Sequence, residues 1–379
     1  MPLYDNFLWE GCIMKRIMAV FGTRPDAIKM CPLVNELRKR GGIEVTVCVS
    51  GQHREMLDSV LGAFGVEPDY DLSVMKEDQS LFDITESIMS GIRPILLREK
   101  PDVVLVHGDT TTAFSAALSC FYLKIPVAHV EAGLRTYSIF SPYPEEFNRR
   151  AVSLISNIDF APTKSARYAL IAEGKKPDRI FVTGNTVLDA LSATLKDPHS
   201  CPVLEWARGS HMILLTTHRR ENIGEPMRNV FKAVRRIVED NPDVKLIYPV
   251  HMNPEIGEIA EEMLADEERI MLTKPLGVVD FHHILDNSFL VLTDSGGIQE
   301  EAAALGKPTL ILRDVSERRE EMLSGTVRII GTREDEVYSG INKLLRDEKA
   351  YRSMHRDRGE IEGGASAMIA DILCADGEV

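Results

Sequence analysis

Closely spaced cysteines are missing from this chain. Its six cysteines are scattered and form no C-x-x-C pair, whereas structural zinc sites take closely spaced cysteine and histidine ligands. Three of them, Cys31, Cys48 and Cys120, stand in apolar surroundings typical of a protein core. The pattern predicts a reduced protein without a cysteine metal site and favours the cytoplasm as its location.

Runs of basic residues and long runs of apolar residues are missing as well. Lys and Arg form no basic run and the formal net charge is -14, so the basic patch that binds nucleic-acid phosphates is not evident. No apolar run approaches the ~20 residues of a membrane-spanning helix. The first thirteen residues carry Asp5 and Glu10 and no long apolar stretch, which is unlike a secretion signal. We therefore expect neither nucleic acid nor membrane as a partner.

Short apolar segments alternate with helix-length segments along the 379 residues. This alternation predicts parallel, doubly wound α/β sheets, and the length fits two domains. The predicted strands are 17–21, 43–49, 103–106, 126–130, 213–215, 244–250, 270–272, 289–292 and 309–312. We expect one Rossmann-like domain over 14–183, completed by a helix within 353–379, and a second over 184–352. Because ligands of such sheets bind beyond the carboxyl ends of the strands, a cleft lined by these ends is predicted.

The most informative segment is 289–301, where an apolar run ends in Ser295-Gly296-Gly297 and continues into helix-forming residues. This predicts a strand, a tight turn and a helix N-terminus, whose unpaired N–H groups favour a phosphate or pyrophosphate. Glu301, one turn into the helix, could accept hydrogen bonds from ribose hydroxyls. The alternative is an ordinary strand-to-helix turn with a serine N-cap.

Two cations follow the first predicted strand. Arg24 and Lys29 would lie at a helix N-terminus, where they could clamp a phosphate, although solvated surface cations are the commoner case. The same segment reads Gly22-Thr23-Arg24-Pro25 and has no G-x-G-x-x-G pattern. A nicotinamide site is therefore not expected, and no cofactor is predicted.

Two carboxylates follow neighbouring predicted strands. Asp109 comes after the third strand and Glu131 after the fourth, and such a pair can divide acid and base roles when partly buried. The alternative is structural: Asp109 caps the next helix and Glu131 pairs with Arg135. Glu145, on a proline-rich loop, could enter the same cleft or cap the helix that starts near it.

In the second half, His218 and His251 fall at strand ends that should line the cleft. Neither has the spacing of a zinc ligand, so no metal is expected. Phe281 could contact a base, whereas the neighbouring His282-His283 pair is expected to be structural. Arg313 follows the last predicted strand and could meet phosphate or sugar.

Eight segments occur together in one order. They are Gly22–Pro25, Gln52–Met56, Val106–Thr110, Val130–Arg135, Gly184–Thr186, His218–Asn222, Tyr248–His251 and Asp294–Glu301. In order and spacing, from about residue 15 to about residue 332, the chain resembles the non-hydrolysing UDP-N-acetylglucosamine 2-epimerases.

The resemblance implies a GT-B fold, a homodimer and the interconversion of UDP-N-acetylglucosamine and UDP-N-acetylmannosamine for cell-surface polysaccharides, without metal or nicotinamide. The implied route is elimination of UDP to give 2-acetamidoglucal, followed by re-addition of UDP. The implied catalytic residues are Asp109, Glu131, Glu145 and His218, and which carboxylate serves which face of C2 stays open. The implied substrate-binding residues are Arg24, Lys29, Arg135, His251, Phe281, Ser295, Gly296, Gly297, Glu301 and Arg313. Gln52 and His53 match a second, activating UDP-N-acetylglucosamine site.

Two segments depart from the family pattern. Ser316-Glu317-Arg318-Arg319-Glu320 replaces Thr-Glu-Arg-Pro-Glu, and 358–364 replaces Asn-Pro-Tyr-Gly-Asp-Gly. A hydrolysing epimerase that releases N-acetylmannosamine and UDP, a GT-B glycosyltransferase and a catalytically silent UDP-sugar-binding protein are the alternatives. Retention of the four catalytic residues argues against the last of these.

Overall fold

The computed structural model describes residues 14–51, 54–76, 79–313, 325–357, 361 and 363–375. These residues form two α/β units, unit 1 within Met1–Thr186 and Gly364–Val379, and unit 2 within Val187–Gly363. The boundary between the units lies after Thr186, close to the expected 183/184. Residues 353–363, which were expected to belong to the first domain, fall in unit 2. The reason is that the helix Glu348–Met354 packs on Glu334–Arg346 of unit 2, whereas the helix Ala365–Cys374 packs on Arg24–Arg38 of unit 1.

Unit 1 is built on a parallel sheet of seven described strands. They are β1 Lys15–Phe21, β2 Ile43–Val49, β3 Tyr70–Asp71, β4 Val103–His107, β5 Val127–Val130, β6 Ile158–Ala161 and β7 Ile180–Val182. Their order is β3-β2-β1-β4-β5-β6-β7, so the direction of winding reverses between β1 and β4. The helices are α1 Arg24–Arg38, α2 Arg54–Phe64, α3 Leu81–Glu99, α4 Thr111–Leu123, α5 Glu145–Ile155 and α6 Lys164–Ala172.

Unit 2 repeats this plan with six described parallel strands. They are β8 His211–Thr216, β9 Val244–Pro249, β10 Ile270–Thr273, β11 Leu290–Thr293, β12 Thr309–Ile311 and β13 Val327–Ile329, in the order β10-β9-β8-β11-β12-β13. The helices are α7 Val187–Thr194, α8 Pro202–Ala207, α9 Glu225–Asp240, α10 Pro254–Leu264, α11 Val278–Asn287, α12 Gly296–Ala304, α13 Glu334–Arg346 and α14 Glu348–Met354. The last helix of unit 1, Ala365–Cys374, is α15. Here the winding reverses between β8 and β11.

Burial on both faces explains why the central strands read as apolar runs. Every residue of β4 is buried, and so are Ile17–Phe21 of β1, because helices cover both sides of a parallel sheet. The cysteines expected in the core are buried, and burial raises the pKa of the Cys31 thiol to about 12. The predicted class of two Rossmann-like units with parallel sheets is confirmed.

Side-chain caps fix where the site helices begin. Thr23 and Asp26 form a capping box at the start of α1, and Thr110 accepts a hydrogen bond from Ala113 N at the start of α4. These helices therefore start directly beyond β1 and β4, at the reversal of strand order where open α/β sheets bind ligands. Within the described ranges, no helix has both the length and the apolar character needed to cross a membrane.

Candidate functional site

A buried ion pair lies at the strand-order reversal of unit 1. Lys29 of α1 contacts Oε2 of Glu131, which follows β5, and both side chains are nearly inaccessible. Asn185 Nδ2 donates a hydrogen bond to the same oxygen at 3.0 Å. Lys29 is thus not a solvated surface cation: its charge stabilises the ionised carboxylate of Glu131.

The backbone around Glu131 is held in an unusual conformation. Glu131 has a φ of 62° and Gly108, on the neighbouring strand end, has a φ of 60°. A left-handed backbone is uncommon for a residue with a side chain and clusters at functional sites. The alternative pairing with Arg135 is not what the structure has, because Arg135 donates through Nε and Nη2 to Glu173 at 2.9 and 2.8 Å. Arg135 also donates to Ser153 Oγ at 3.0 Å, so its contacts hold the loop that follows β5.

Asp109 forms a second ion pair, with Arg149 of α5. The neighbouring Asn148 donates through Nδ2 to the main-chain oxygen of Asp109 at 2.9 Å. Burial raises the pKa of the Asp109 carboxyl, and the charge of Arg149 opposes that rise. A quarter of the Asp109 side chain, 26%, remains exposed. The N-cap of α4 is Thr110, so Asp109 does not have the capping role of the structural alternative.

Glu145 and Glu146 open α5 and differ in their surroundings. Glu146 is fully buried and accepts hydrogen bonds from the N–H groups of Thr136 and Tyr137 at 3.0 and 3.1 Å. It therefore holds the preceding loop in place. In contrast, Oε2 of Glu145 is buried and makes no hydrogen bond with the described residues. A buried carboxylate oxygen without a partner is costly unless a ligand supplies one.

Asp294 is the hub of the site in unit 2. It follows β11, is buried, and accepts hydrogen bonds from Thr217 Oγ1 at 2.8 Å, Asn222 Nδ2 at 2.9 Å and the main-chain N of Arg219 at 3.0 Å. These bonds tie the loop after β8 to the end of β11. Sequence analysis missed Asp294 as a site residue, although it directly precedes the Ser295-Gly296-Gly297 turn.

The two histidines predicted at strand ends lie side by side. His218 places Nδ1 3.4 Å from Asp294 Oδ1, and its ring stacks on that of His251 with centroids 5.4 Å apart. Because Nδ1 of His218 faces the Asp294 carboxylate, Nε2 is the ring nitrogen left for chemistry. His251 accepts a hydrogen bond at Nδ1 from Asn253 N at 3.1 Å. The side chain of His218 is 40% exposed, so a ligand can reach it.

The N-terminus of α12 is open. The helix begins at Gly296, and Ser295 occupies the N-cap position without a side-chain capping bond. A Cβ built on Gly297 would meet no atom within 4 Å. The glycine is therefore not required by packing, and the first-turn N–H groups suit an anion.

The remaining predicted substrate-binding residues lie in both units. Glu301 is buried in α12 with Oε2 3.8 Å from His282 Nε2, and Phe281 packs partly buried against the core. Arg313 has Nε 3.6 Å from Glu221 Oε1, and Arg24 is the first residue of α1. His282 is buried and contacts Thr194 Oγ1 at 2.7 Å, as its expected structural role requires. Gln52, His53, the segment 316–320 and most of 358–364 lie outside the described residues.

Two Rossmann-like units, with carboxylates at the strand-order reversal of one and a helix N-terminus at that of the other, define an α/β protein of the GT-B class. In the part of the chain that the structure describes, no group of three or more His, Cys, Asp or Glu side chains is placed to hold a metal ion. A family model for UDP-N-acetylglucosamine 2-epimerase matches residues 35–374, and the chain belongs to this family.

Individual relatives are similar over nearly their whole length. The UDP-N-acetylglucosamine 2-epimerase of Bacillus subtilis (strain 168) is 50% identical over 359 residues, 94% of each chain. S. aureus MnaA, solved with UDP, superposes with a TM-score of 0.90 at 46% identity, over 95% of this chain and 96% of that one. The UDP-GlcNAc 2-epimerase of Neisseria meningitidis, solved with UDP-GlcNAc, has a TM-score of 0.90 at 41% identity, over 95% and 100% of the two chains.

Proposed function

We propose that this protein interconverts UDP-N-acetylglucosamine and UDP-N-acetylmannosamine without releasing free sugar. The observation that carries the proposal is the set of three carboxylates in unit 1: Asp109 paired with Arg149, Glu131 paired with Lys29, and Glu145, whose Oε2 is buried without a hydrogen bond to the described residues. Inversion at C2 removes a proton from one face of the sugar and returns one to the other. This requires acid/base groups on both faces, each contributing ~10²–10⁴-fold to the rate.

The route that fits these residues is elimination followed by addition. The C2–H and C1–O bonds break, the electron pair of the C–H bond forms the C1=C2 double bond of 2-acetamidoglucal, and UDP leaves with the pair of the C–O bond. A proton then returns to the opposite face of C2 while the UDP oxygen re-forms its bond to C1. Since the C2 proton is not acidic, stabilisation of the departing diphosphate supplies much of the driving force.

Unit 2 provides the groups for the diphosphate and the nucleoside. The N–H groups at the start of α12, beside Ser295, Gly296 and Gly297, would bind phosphate oxygens. His218, oriented by Asp294, would act near the leaving group, with His251 stacked on it. Glu301 is proposed to bind the ribose, Phe281 the base, and Arg313 phosphate or sugar.

In unit 1, Arg24 is proposed to bind phosphate from the N-terminus of α1, where the helix dipole also favours an anion. Lys29 is proposed to act on the substrate through Glu131, the carboxylate that it contacts. Arg135 would hold the loop after β5 through Glu173. Gln52 and His53 remain candidates for a second, activating UDP-N-acetylglucosamine site.

The setting proposed for this activity is the supply of cell-surface polysaccharide synthesis in the cytoplasm by a homodimer. The partners are small molecules: the two UDP-sugars and UDP. No metal and no nicotinamide takes part in the proposed route, because proton transfer and loss of UDP account for the whole change at C2.

One experiment tests the proposal. Purified protein is incubated with UDP-N-acetylglucosamine in deuterated water, and the products are followed by NMR. We expect deuterium at C2 of both recovered UDP-sugars, with slow leakage of UDP and 2-acetamidoglucal. Free N-acetylmannosamine as the main product would identify a hydrolysing epimerase, and product that keeps its C2 hydrogen would exclude the elimination route.

A further inference from the structure

His107 is a buried histidine beside the carboxylates that the proposed route does not use. It is the last residue of β4, and its Nδ1 lies 3.3 Å from Oδ1 of Asp26. The other oxygen of Asp26 accepts hydrogen bonds from Thr110 Oγ1 at 3.3 Å and from Thr23 N at 3.4 Å. An ionised carboxylate only accepts hydrogen bonds, so Nδ1 of His107 carries a proton and Nε2 carries the lone pair in the neutral ring.

Nε2 of His107 is directed at Glu131. It is buried and makes no hydrogen bond with the described residues. Oε2 of Glu131, the oxygen that contacts Lys29 and Asn185, lies 3.9 Å from it. A shift of less than a bond length would bring the two atoms within hydrogen-bond distance once one of them carries a proton.

The second buried histidine of unit 1 has a different role. His129 contacts the main-chain oxygen of Gly108 through Nε2 at 2.7 Å, and burial lowers the pKa of His129 to about 3. It therefore stays neutral and supports the turn after β4. His107 instead has a carboxylate on each side of its ring, Asp26 beside Nδ1 and Glu131 beside Nε2.

Lys29 gives the reason why Glu131 needs such a neighbour. An ammonium in contact with a carboxylate favours its ionised form, so a proton taken up by Glu131 would be poorly retained. The charged groups around His107 are Asp26 beside Nδ1, Glu131 beside Nε2 with Lys29 paired to it, and Asp109 beyond β4.

We propose that His107 is a positioning residue that acts through Glu131. Nε2 of His107 takes up the proton that Glu131 removes from C2, while Asp26 orients the imidazole ring and balances its charge. The inference rests on the proposed epimerisation. The proton passes from C2 to the Glu131 carboxylate and then to Nε2, and the imidazolium pairs with Asp26. Glu131 is thereby returned to its ionised form while the sugar is unsaturated, and no co-reactant is needed.

The test compares His107→Gln with the unmodified protein. Glutamine keeps a polar side chain but cannot take up a proton near neutral pH. We expect kcat to fall about 10²-fold, UDP affinity by calorimetry to stay within about twofold, and one ionisation to disappear from the acidic limb of the kcat profile. His211→Gln is the matched control, because His211 also contacts an aspartate, Asp243, at 2.8 Å but lies at the start of β8.

Asp26→Asn keeps a side chain that can accept from Thr23 and Thr110 but removes the charge opposite His107. We expect the acidic limb of kcat to move to lower pH, since the imidazolium loses its counter-charge. This variant decides the question if His107→Gln does not fold. Two outcomes would overturn the proposal. One is an acidic limb of the kcat profile that stays in place in both folded variants. The other is a kcat of His107→Gln within about threefold of that of the unmodified protein.

Failure of the proposed function gives a different result. Unmodified protein that introduces no deuterium at C2 would refute the epimerisation itself. Normal deuterium incorporation by the unmodified protein, together with an unaltered acidic limb in His107→Gln, would refute the role of His107 alone.

Discussion

Substitution of Gly297 by alanine should affect the stability of the fold and the affinity for UDP in opposite directions. Gly297 is the second residue of α12, and a Cβ at this position would meet no atom within 4 Å. Alanine is favoured over glycine in helices by about 1 kcal/mol. The free energy of unfolding of Gly297→Ala should therefore be unchanged or raised by up to ~1 kcal/mol.

The same methyl group should weaken binding of UDP. It would stand where a diphosphate oxygen approaches the first-turn N–H groups, next to the unused N-cap hydroxyl of Ser295. We expect the dissociation constant for UDP to rise at least tenfold, which corresponds to ~1.4 kcal/mol. Calorimetry gives the affinity, and thermal unfolding without ligand gives the stability of the fold.

Gly257→Ala is the matched control. Gly257 lies in the first turn of α10 in the same unit, and a Cβ there would also meet no atom within 4 Å. The control should gain similar stability and bind UDP normally. Normal UDP affinity in Gly297→Ala would refute the placement of the diphosphate at α12. A large loss of stability in this variant would refute the conclusion that the fold has room for a methyl group at Gly297.

Three further predictions concern unit 1. Asp109→Asn should abolish epimerisation, measured by NMR, and leave UDP affinity within about twofold; near-normal turnover would remove Asp109 from the mechanism. Arg149→Met should move the limb of the kcat profile that reports Asp109 to higher pH, because burial raises the pKa of Asp109 and the opposing charge of Arg149 is gone; a limb that moves to lower pH would contradict this balance. Arg24→Ala should weaken UDP binding about tenfold, by ~1.4 kcal/mol, and unchanged affinity by calorimetry would show that Arg24 does not contact phosphate.

The longer strands could be predicted because they are buried and therefore consist of consecutive apolar residues. β2 has the predicted bounds 43–49, and β1, β4 and β8 extend the predicted runs by one to three residues. The strands that were missed, β3, β6, β7 and β13, are two to four residues long. Such short segments carry too few side chains for a periodic pattern, and pairing with an existing sheet edge is what makes them strands.

The position of candidate site residues could also be predicted, because polar residues that follow buried strands of a parallel sheet gather at one edge. Asp109 and Glu131 do so in unit 1, and His218 and His251 in unit 2. What the sequence could not give is which group each of them contacts. Arg135 is four residues from Glu131 but pairs with Glu173, 38 residues away.

The sequence by itself determined the α/β class, the repeated plan and the strand ends that carry polar side chains, because burial and helix capping act over a few neighbouring residues. Tertiary structure alone decided the ion pairs and hydrogen bonds that tune those side chains. Lys29 and Glu131 are 102 residues apart in the chain, His218 and Asp294 76, and Arg149 and Asp109 40. Charge interactions depend on distance in space and on burial, and neither quantity is written in the local sequence.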